Sequence, residues 1–409
     1  MFSGGEIKHE HLDRLTARFS LKRRWDGVFL PEPIQKEQEK EDESFWSAAK
    51  KDISVDKAKD EAAEVATKVE KKRRQKTPAT PFRRCVRIFD PVDTELSASR
   101  GKESSSENKR RLESGTKLAQ THDGFRKLPD FKGIDRKLAG LKTQFGNFGD
   151  VLEHLEQEMM LAGASRPESF RITPVLLDGP PGVGKTAFAQ SFAKLLGLPF
   201  IKLSAGGMQH GATLTGGSSY WSNTQPGEVF SMLARGEWAT GVILIDEADK
   251  LCDRQDHQIL PALLDLLEPE SAKRFTDESM RMAFDASRLI VLLTSNLMRN
   301  MNDALLSRCR PFSIEMPGPE QRALIARGEH DKMNSGIKRA SRIELDSDAV
   351  GKLAESDINI RELIQAVRSG FTQALASGSK MSRPECLGKK EESRRRIGFI
   401  RDENLPATK

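Results

Sequence analysis

Cysteine is scarce. Cys85, Cys252, Cys309 and Cys386 are the only four in 409 residues, they lie far apart, and none forms a C-x-x-C pair. That spacing indicates neither a disulfide framework nor a zinc site. The seven histidines are equally scattered, and His257, near Cys252, has no third or fourth ligand beside it in the sequence. Aromatic residues make up only 6% of the chain and include a single tyrosine, Tyr220, so large apolar side chains for packing are few. The longest apolar runs are strand-sized, well short of the roughly 20 residues needed to span a bilayer, so no transmembrane helix is expected. Residues 1–25 lack an apolar signal core and carry early acidic residues, which argues against a leader and makes a cytoplasmic location the default.

What the chain has in quantity is charge. Asp, Glu, Lys and Arg make up 31% against 37% hydrophobic residues, with a net charge of +6. This balance permits nucleic-acid contact without requiring it. The runs Lys71-Lys72-Arg73-Arg74 and Arg394-Arg395-Arg396 sit in polar surroundings with few aromatics, and read as solvated tails before nucleic-acid patches. Gln35 to Lys76 carries only a thin apolar stripe, and Ser97 to Gly115 reads as a polar linker. Residues 1–125 are therefore expected to be largely disordered or transiently helical, with folding on a partner as the alternative.

Order is expected from near Phe131. Residues 151–161 have helical spacing. Apolar runs at 175–177, 198–203, 242–245, 289–293 and 312–316 then alternate with helical stretches, the pattern of a parallel sheet covered on both faces. From Gly318 the pattern turns helical, through 321–326, 348–355 and 361–376, and from Ser377 it is polar again. The division this implies is a charged region at 1–125, an α/β core at 126–317, a small helical lid at 318–376 and a polar basic tail at 377–409.

One stretch carries most of the chemistry. Gly179-Pro180-Pro181-Gly182-Val183-Gly184-Lys185-Thr186 satisfies G-x-x-x-x-G-K-[ST] at every defined position, between an apolar run (Val175-Leu176-Leu177) and a helical one (187–193). Glycines let the backbone turn with its N–H groups around phosphate oxygens, and the following helix adds its positive end. Lys185 can reach the β- and γ-phosphates and the Thr186 hydroxyl can ligate Mg²⁺, so the expected ligands are ATP and Mg²⁺. Downstream, Val242-Ile243-Leu244-Ile245 ends in Asp246 and Glu247. Asp246 suits the Mg²⁺ shell and Glu247 the polarising of an attacking water. The run Leu289–Leu293 leads to Thr294-Ser295-Asn296, where the Asn296 amide can orient water beside the γ-phosphate. Arg308 precedes another strand, and Arg361 starts a helix of the lid.

The order of these parts resembles an AAA+ ATPase: Walker A at 179–186, Walker B at Asp246 and Glu247, sensor 1 at Asn296, an arginine finger at Arg308 and sensor 2 at Arg361. Residues 204–227 and 262–296 are similar to the ATPase module of Lon-type proteases, and the likeness covers roughly 145–375. Ser307-Arg308-Cys309 also resembles the finger motif of clamp loaders. The resemblance implies a homo-oligomeric ring in which the finger acts on a neighbour's nucleotide, and a protein client gripped at a pore loop. Here that loop carries Tyr220 and Trp221, with Ser222 where an aliphatic residue is usual in the family. After the lid comes a polar tail where Lon-type enzymes carry a Ser-Lys protease domain, so peptide-bond hydrolysis by this chain alone is not expected. The leading expectation is a Lon-like protein-remodelling or unfolding motor. The alternatives are a clamp-loader-like or mobile-element ATPase acting on DNA, and a nucleotide-gated scaffold.

Overall fold

The computed structural model describes residues 82–101, 106–205, 211–217, 224–252 and 259–385. The chain divides into two units, Met1–Glu64 and Val65–Lys409, and the described residues all belong to the second. Both basic runs, the Gln35–Lys76 stripe, Tyr220, Trp221 and His257 lie outside the described residues.

Structure starts well before Phe131. Strand β1 (Cys85–Arg87) pairs antiparallel with β2 (Phe125–Lys127), and two helices stand between them, α1 (Pro91–Gly101) and α2 (Ser106–Ala119). This corrects the reading of 97–115 as a linker and places order from Phe82 rather than Phe131; residues 1–81 lie outside the described residues. Val86, Ile88, Phe89, Leu112 and Ala119 belong to the same core as the central sheet, and Phe89 meets Phe230 and Phe284 at ring-centroid distances of 5.6 Å. Helix α2 buries Leu112, Gly115, Thr116 and Ala119, a face at i, i+3, i+4, i+7 made mostly of small residues. Close backbone approach packs such a face, and hydrophobicity alone does not reveal it.

Two helices follow, α3 (Ile134–Gln144) and α4 (Gly149–Ala164), and then the sheet. Its strands are β3 (Val175–Asp178), β4 (Phe200–Ser204), β5 (Val242–Asp246), β8 (Ile290–Ser295) and β9 (Arg310–Ser313), parallel throughout, in the order β4-β5-β8-β3-β9. The three inner strands are the continuous apolar runs VLL, VILI and IVLL, buried on both faces as parallel strands must be. The outer strands are mixed, and Pro311 sits on edge strand β9, where a missing N–H is tolerated. Helices α5 (Lys185–Leu196), α6 (Glu228–Arg235) and α7 (Ile259–Leu267) connect the strands, and an antiparallel hairpin, β6 (Phe275–Asp277) with β7 (Met282–Phe284), precedes β8. The register sets Asp178 opposite Ser295 and Ser204 opposite Asp246, so the polar residues that end the strands line one edge of the sheet.

Gly318 and Pro319 open α8 (Pro319–Ser335), with proline at a position where no intrahelical N–H bond is lost. Helix α9 (Ser347–Glu355) is capped by Asp346, and α10 (Ile360–Ser377) by a reciprocal Asn359–Glu362 capping box. Ala326, Val350, Leu353, Leu363, Ala366 and Val367 give these helices a core of their own. Order continues past Ser377: β11 (Met381–Ser382) pairs parallel with β10 (Glu344–Leu345), and Ser382 is fully buried. Among the described residues no helix is long and apolar enough to cross a membrane.

Candidate active site

The loop after β3 ends at Gly184, whose φ of +106° disfavours any residue with a β-carbon, and α5 begins at the next residue. Phe188 N–H makes the first bond of the helix, to Gly184 carbonyl oxygen at 2.8 Å. The amides of the preceding turn therefore face outward at the positive helix end, as an anion site requires. Gly182, at φ +83°, lies against Asn359, the residue that caps α10. The start of a lid helix thus abuts the loop.

Lys185 is 93% buried, and all three of its ammonium protons have acceptors: the carbonyls of Gly179 and Pro180 and the Oδ1 of Asn296 at 3.0 Å. Burial lowers its pKa, while Asp178, Asp246 and Asp249 pull the other way. Asp246, at the end of β5, accepts from Thr186 Oγ1 at 3.3 Å and from Thr294 Oγ1 at 2.6 Å, and pairs with Lys202 Nζ at 2.7 Å. Burial alone would raise its pKa. The hydrogen bonds from Lys202 and Thr294, the Lys202 charge and the Thr186 hydroxyl together outweigh burial and hold the carboxyl below its usual value. Glu247 follows at φ +61°, in the left-handed region, and its carboxylate meets Lys250 Nζ at 2.7 Å.

A cleft of about 310 Å³ gathers these groups: Pro181 to Ala187, Asp246, Glu247, Thr294 and Asn296 from the core, and Ile360, Arg361 and Ile364 from the lid. Two larger hollows, of about 1020 and 900 Å³, lie elsewhere, but the smaller one combines a buried cation, two adjacent acids and a glycine-rich turn. The donor set fits Mg²⁺ held with a nucleotide. Thr186 and Asp246 offer hard oxygens side by side, and no group of three or more metal-ligating side chains stands ready among the described residues. Mg²⁺ bound through phosphates needs only such a one- or two-residue foothold.

Of the residues expected at the site, Arg361 and Asn296 therefore share the cleft with Lys185, Thr186, Asp246 and Glu247, while Gly179 and Pro180 support Lys185 from behind. Arg308 is placed elsewhere. It follows a single helical turn (Asp303–Leu306), donates to Ala304 carbonyl oxygen at 3.0 Å and lies 3.4 Å from Glu268, outside the lining of this cleft. Sequence reasoning missed Thr294 and Lys202. Thr294 was legible as the polar end of an apolar strand; Lys202 stands inside an apolar run, and only the β4–β5 register reveals its partner.

Residues 175–316 match the family model described as "ATPase family associated with various cellular activities (AAA)". Among curated proteins the chain is similar to a "Lon protease" of Chloroflexus aurantiacus, 37% identical over 170 residues, 41% of this chain and 20% of that protein. It is 28% identical to a "Lon protease" of Malacoplasma penetrans over 239 residues, 56% of this chain and 30% of the relative. It is also 38% identical to a "Lon protease homolog 2, peroxisomal" of Oryza sativa subsp. indica over 150 residues, 36% of this chain and 17% of the relative. The chain thus spans less than a third of the length of these relatives. Glycine-rich loop, paired strand-end acids and sequence match agree: the chain carries an AAA domain, and that domain is similar to the matching stretch of Lon-type proteases.

Proposed function

We propose that this chain binds and hydrolyses ATP in the cleft between the sheet edge and the lid. The observation that carries the reading is the convergence of Lys185, Thr186, Asp246, Glu247 and Asn296, from the ends of three neighbouring strands, on one cavity. The outward amides of α5 and the Lys185 ammonium bind the phosphates. Thr186 and Asp246 would hold Mg²⁺, which when bound neutralises phosphate charge. Glu247 takes the proton of the attacking water, Asn296 orients that water, and Arg361 brings a cation from the lid.

Arg308 completes the site from a neighbouring copy. It lies outside its own cleft and lacks a strong partner, since the Glu268 contact is long and half exposed. A ring of like subunits joined head to tail would present it to the next nucleotide. Likeness to Lon-type proteins and the aromatic pair Tyr220-Trp221 favour a protein client moved by this cycle.

The test uses two substitutions. Lys185→Ala should abolish ATP binding, and Glu247→Gln should keep binding and lose turnover, because the amide keeps the shape but cannot accept the proton. Wild-type nucleotide affinity in Lys185→Ala would sink the assignment. For the client, Trp221→Ala should remove stimulation of hydrolysis by an unfolded protein while basal hydrolysis persists. Stimulation by DNA that survives Trp221→Ala and is lost on deleting 386–409, which carry the basic run and lie beyond the ordered β11, would favour action on DNA instead.

A further inference from the structure

Thr294 is 99% buried at the end of β8, directly beneath the two strand-end acids. Its hydroxyl has one proton to give and lone pairs to receive. The Asp246 carboxylate can only accept and the Glu247 backbone N–H can only donate, so the direction of both bonds is fixed. Oγ1–H donates to Asp246 Oδ1 at 2.6 Å, and Oγ1 accepts from Glu247 N–H at 3.0 Å. One atom therefore ties the residue on the metal side of the cleft to the backbone of the residue that takes the proton.

That tie falls where the chain most needs one. Glu247 has φ +61°, a conformation that residues with a β-carbon adopt rarely and keep only where neighbours hold them there. Released from it, the backbone would swing the carboxylate away from the cleft. The 2.6 Å bond to Asp246 pulls from the other side and sets the spacing between the two acids.

We propose that Thr294 is a positioning residue for hydrolysis, holding Glu247 in its left-handed turn and in register with Asp246. This rests on the ATPase reading above. The hydroxyl takes no part in the reaction itself; it acts through Glu247.

Thr294→Val keeps shape and β-branching and removes both hydrogen bonds. Thr294→Ser restores the hydroxyl without the methyl. In the full chain, with Mg²⁺-ATP, Thr294→Val should lower kcat at least 30-fold and change KM for ATP less than threefold. Binding of a fluorescent ADP analogue should stay within threefold of wild type. Thr294→Ser should recover most of the lost turnover even where its melting temperature lies below that of Thr294→Val. A merely structural hydroxyl predicts the reverse, with kcat following melting temperature through all variants, and that result overturns the proposal, as does wild-type kcat in Thr294→Val. Should Thr294→Val not fold, Thr294→Ala and Thr294→Ser share the lost methyl and differ only in the hydroxyl. Equal kcat in that pair refutes the role, and a ratio of tenfold or more supports it. Wild-type protein that binds nucleotide but shows no Mg²⁺-dependent hydrolysis removes the ATPase reading and this inference together; active wild type with active Thr294→Val removes only the inference.

Discussion

Replacing Arg126 by methionine should loosen the N-terminal helices from the AAA core. Arg126, in β2, is fully buried, and its guanidinium donates to five backbone carbonyls: Leu118 at 3.0 Å, Thr121 at 2.8 Å, Phe125 at 3.0 Å, Leu233 at 2.9 Å and Ala234 at 3.1 Å. Leu118 lies in the last turn of α2, and Leu233 and Ala234 in the last turn of α6. Carbonyls there have no partner within their own helix, and both helices point a negative end at the cation. Five bonds to a charged donor, at about 1.5 kcal/mol net each, amount to roughly 7 kcal/mol. Against that stands burial of the charge, which pushes the guanidinium pKa down to about 10. That shift is worth about 3 kcal/mol. Arg126→Met should therefore destabilise by about 4 kcal/mol, a large share of the 5–15 kcal/mol typical of a domain. Arg126→Lys, with three donors on a point charge, should fall between. Urea unfolding gives the free energies, and hydrogen exchange of α2 and α6 shows where the loss is felt. A loss below 1 kcal/mol with both helices still protected would refute the cross-linking role.

Mixing Arg308→Ala subunits with Lys185→Ala subunits should restore part of the hydrolysis that each lacks, because one supplies the intact phosphate loop and the other the finger, a contribution of roughly 10³ to 10⁵ in comparable phosphoryl-transfer systems; mixed oligomers as inactive as either parent would deny the trans role. Lys202→Met should lower the Mg²⁺ concentration for half-maximal nucleotide binding by about threefold or more, since an ammonium 2.7 Å from Asp246 Oδ2 repels a second cation there; an unchanged or raised requirement, read by titrating Mg²⁺ against a fluorescent nucleotide, would count against it. Asp277 is fully buried in β6 and accepts from Gly227 N–H at 2.7 Å and Met280 N–H at 2.8 Å. Burial outweighs those bonds and raises its pKa from 3.8 to about 6. Between these values the folded state holds a proton that the unfolded chain has released, so stability should fall as pH rises from about 4 to 6, by at most about 3 kcal/mol. Asp277→Asn should lack this slope in urea titrations at pH 4, 5 and 7, and an identical slope in both proteins would clear Asp277 of it.

The sheet was readable because its inner strands carry unbroken apolar runs of three or four residues, each bounded by helical spacing. The phosphate loop was readable because its chemistry tolerates few residues at four of its eight positions. The N-terminal helices were not, because α2 packs through Gly115, Thr116 and Ala119 and gains its anchorage from Arg126 and Arg111, polar residues that composition counts as surface. Hairpin β6–β7 escaped for a related reason. Its strands are three residues each, and it is pinned by one buried carboxylate, Asp277. Lys202 shows the same limit inside the site. A lysine in an edge strand reads as solvent-facing until the neighbouring strand places Asp246 beside it.

The groups proposed to react share one property that bears on how a nucleotide would be received. Lys185 rests on two loop carbonyls and Asn296, Asp246 on two hydroxyls and Lys202, and Glu247 on Lys250. Each charge already has a partner within the protein, so engaging phosphate or metal exchanges one polar contact for another instead of stripping a charge of bulk water. Such exchanges need little reorganisation and little net desolvation. If the proposed function holds, turning the ammonium to phosphate would release Asn296 from Lys185 and leave it free to orient water. The Lys250 pair is the weaker tether, being half exposed, so Glu247 can leave it readily, while the buried Thr294 bond keeps its backbone in place. Loose side chains on a fixed backbone suit the role proposed for Glu247, since its carboxylate would have to reach a water beside a polyanionic substrate without shifting Asp246 next to it.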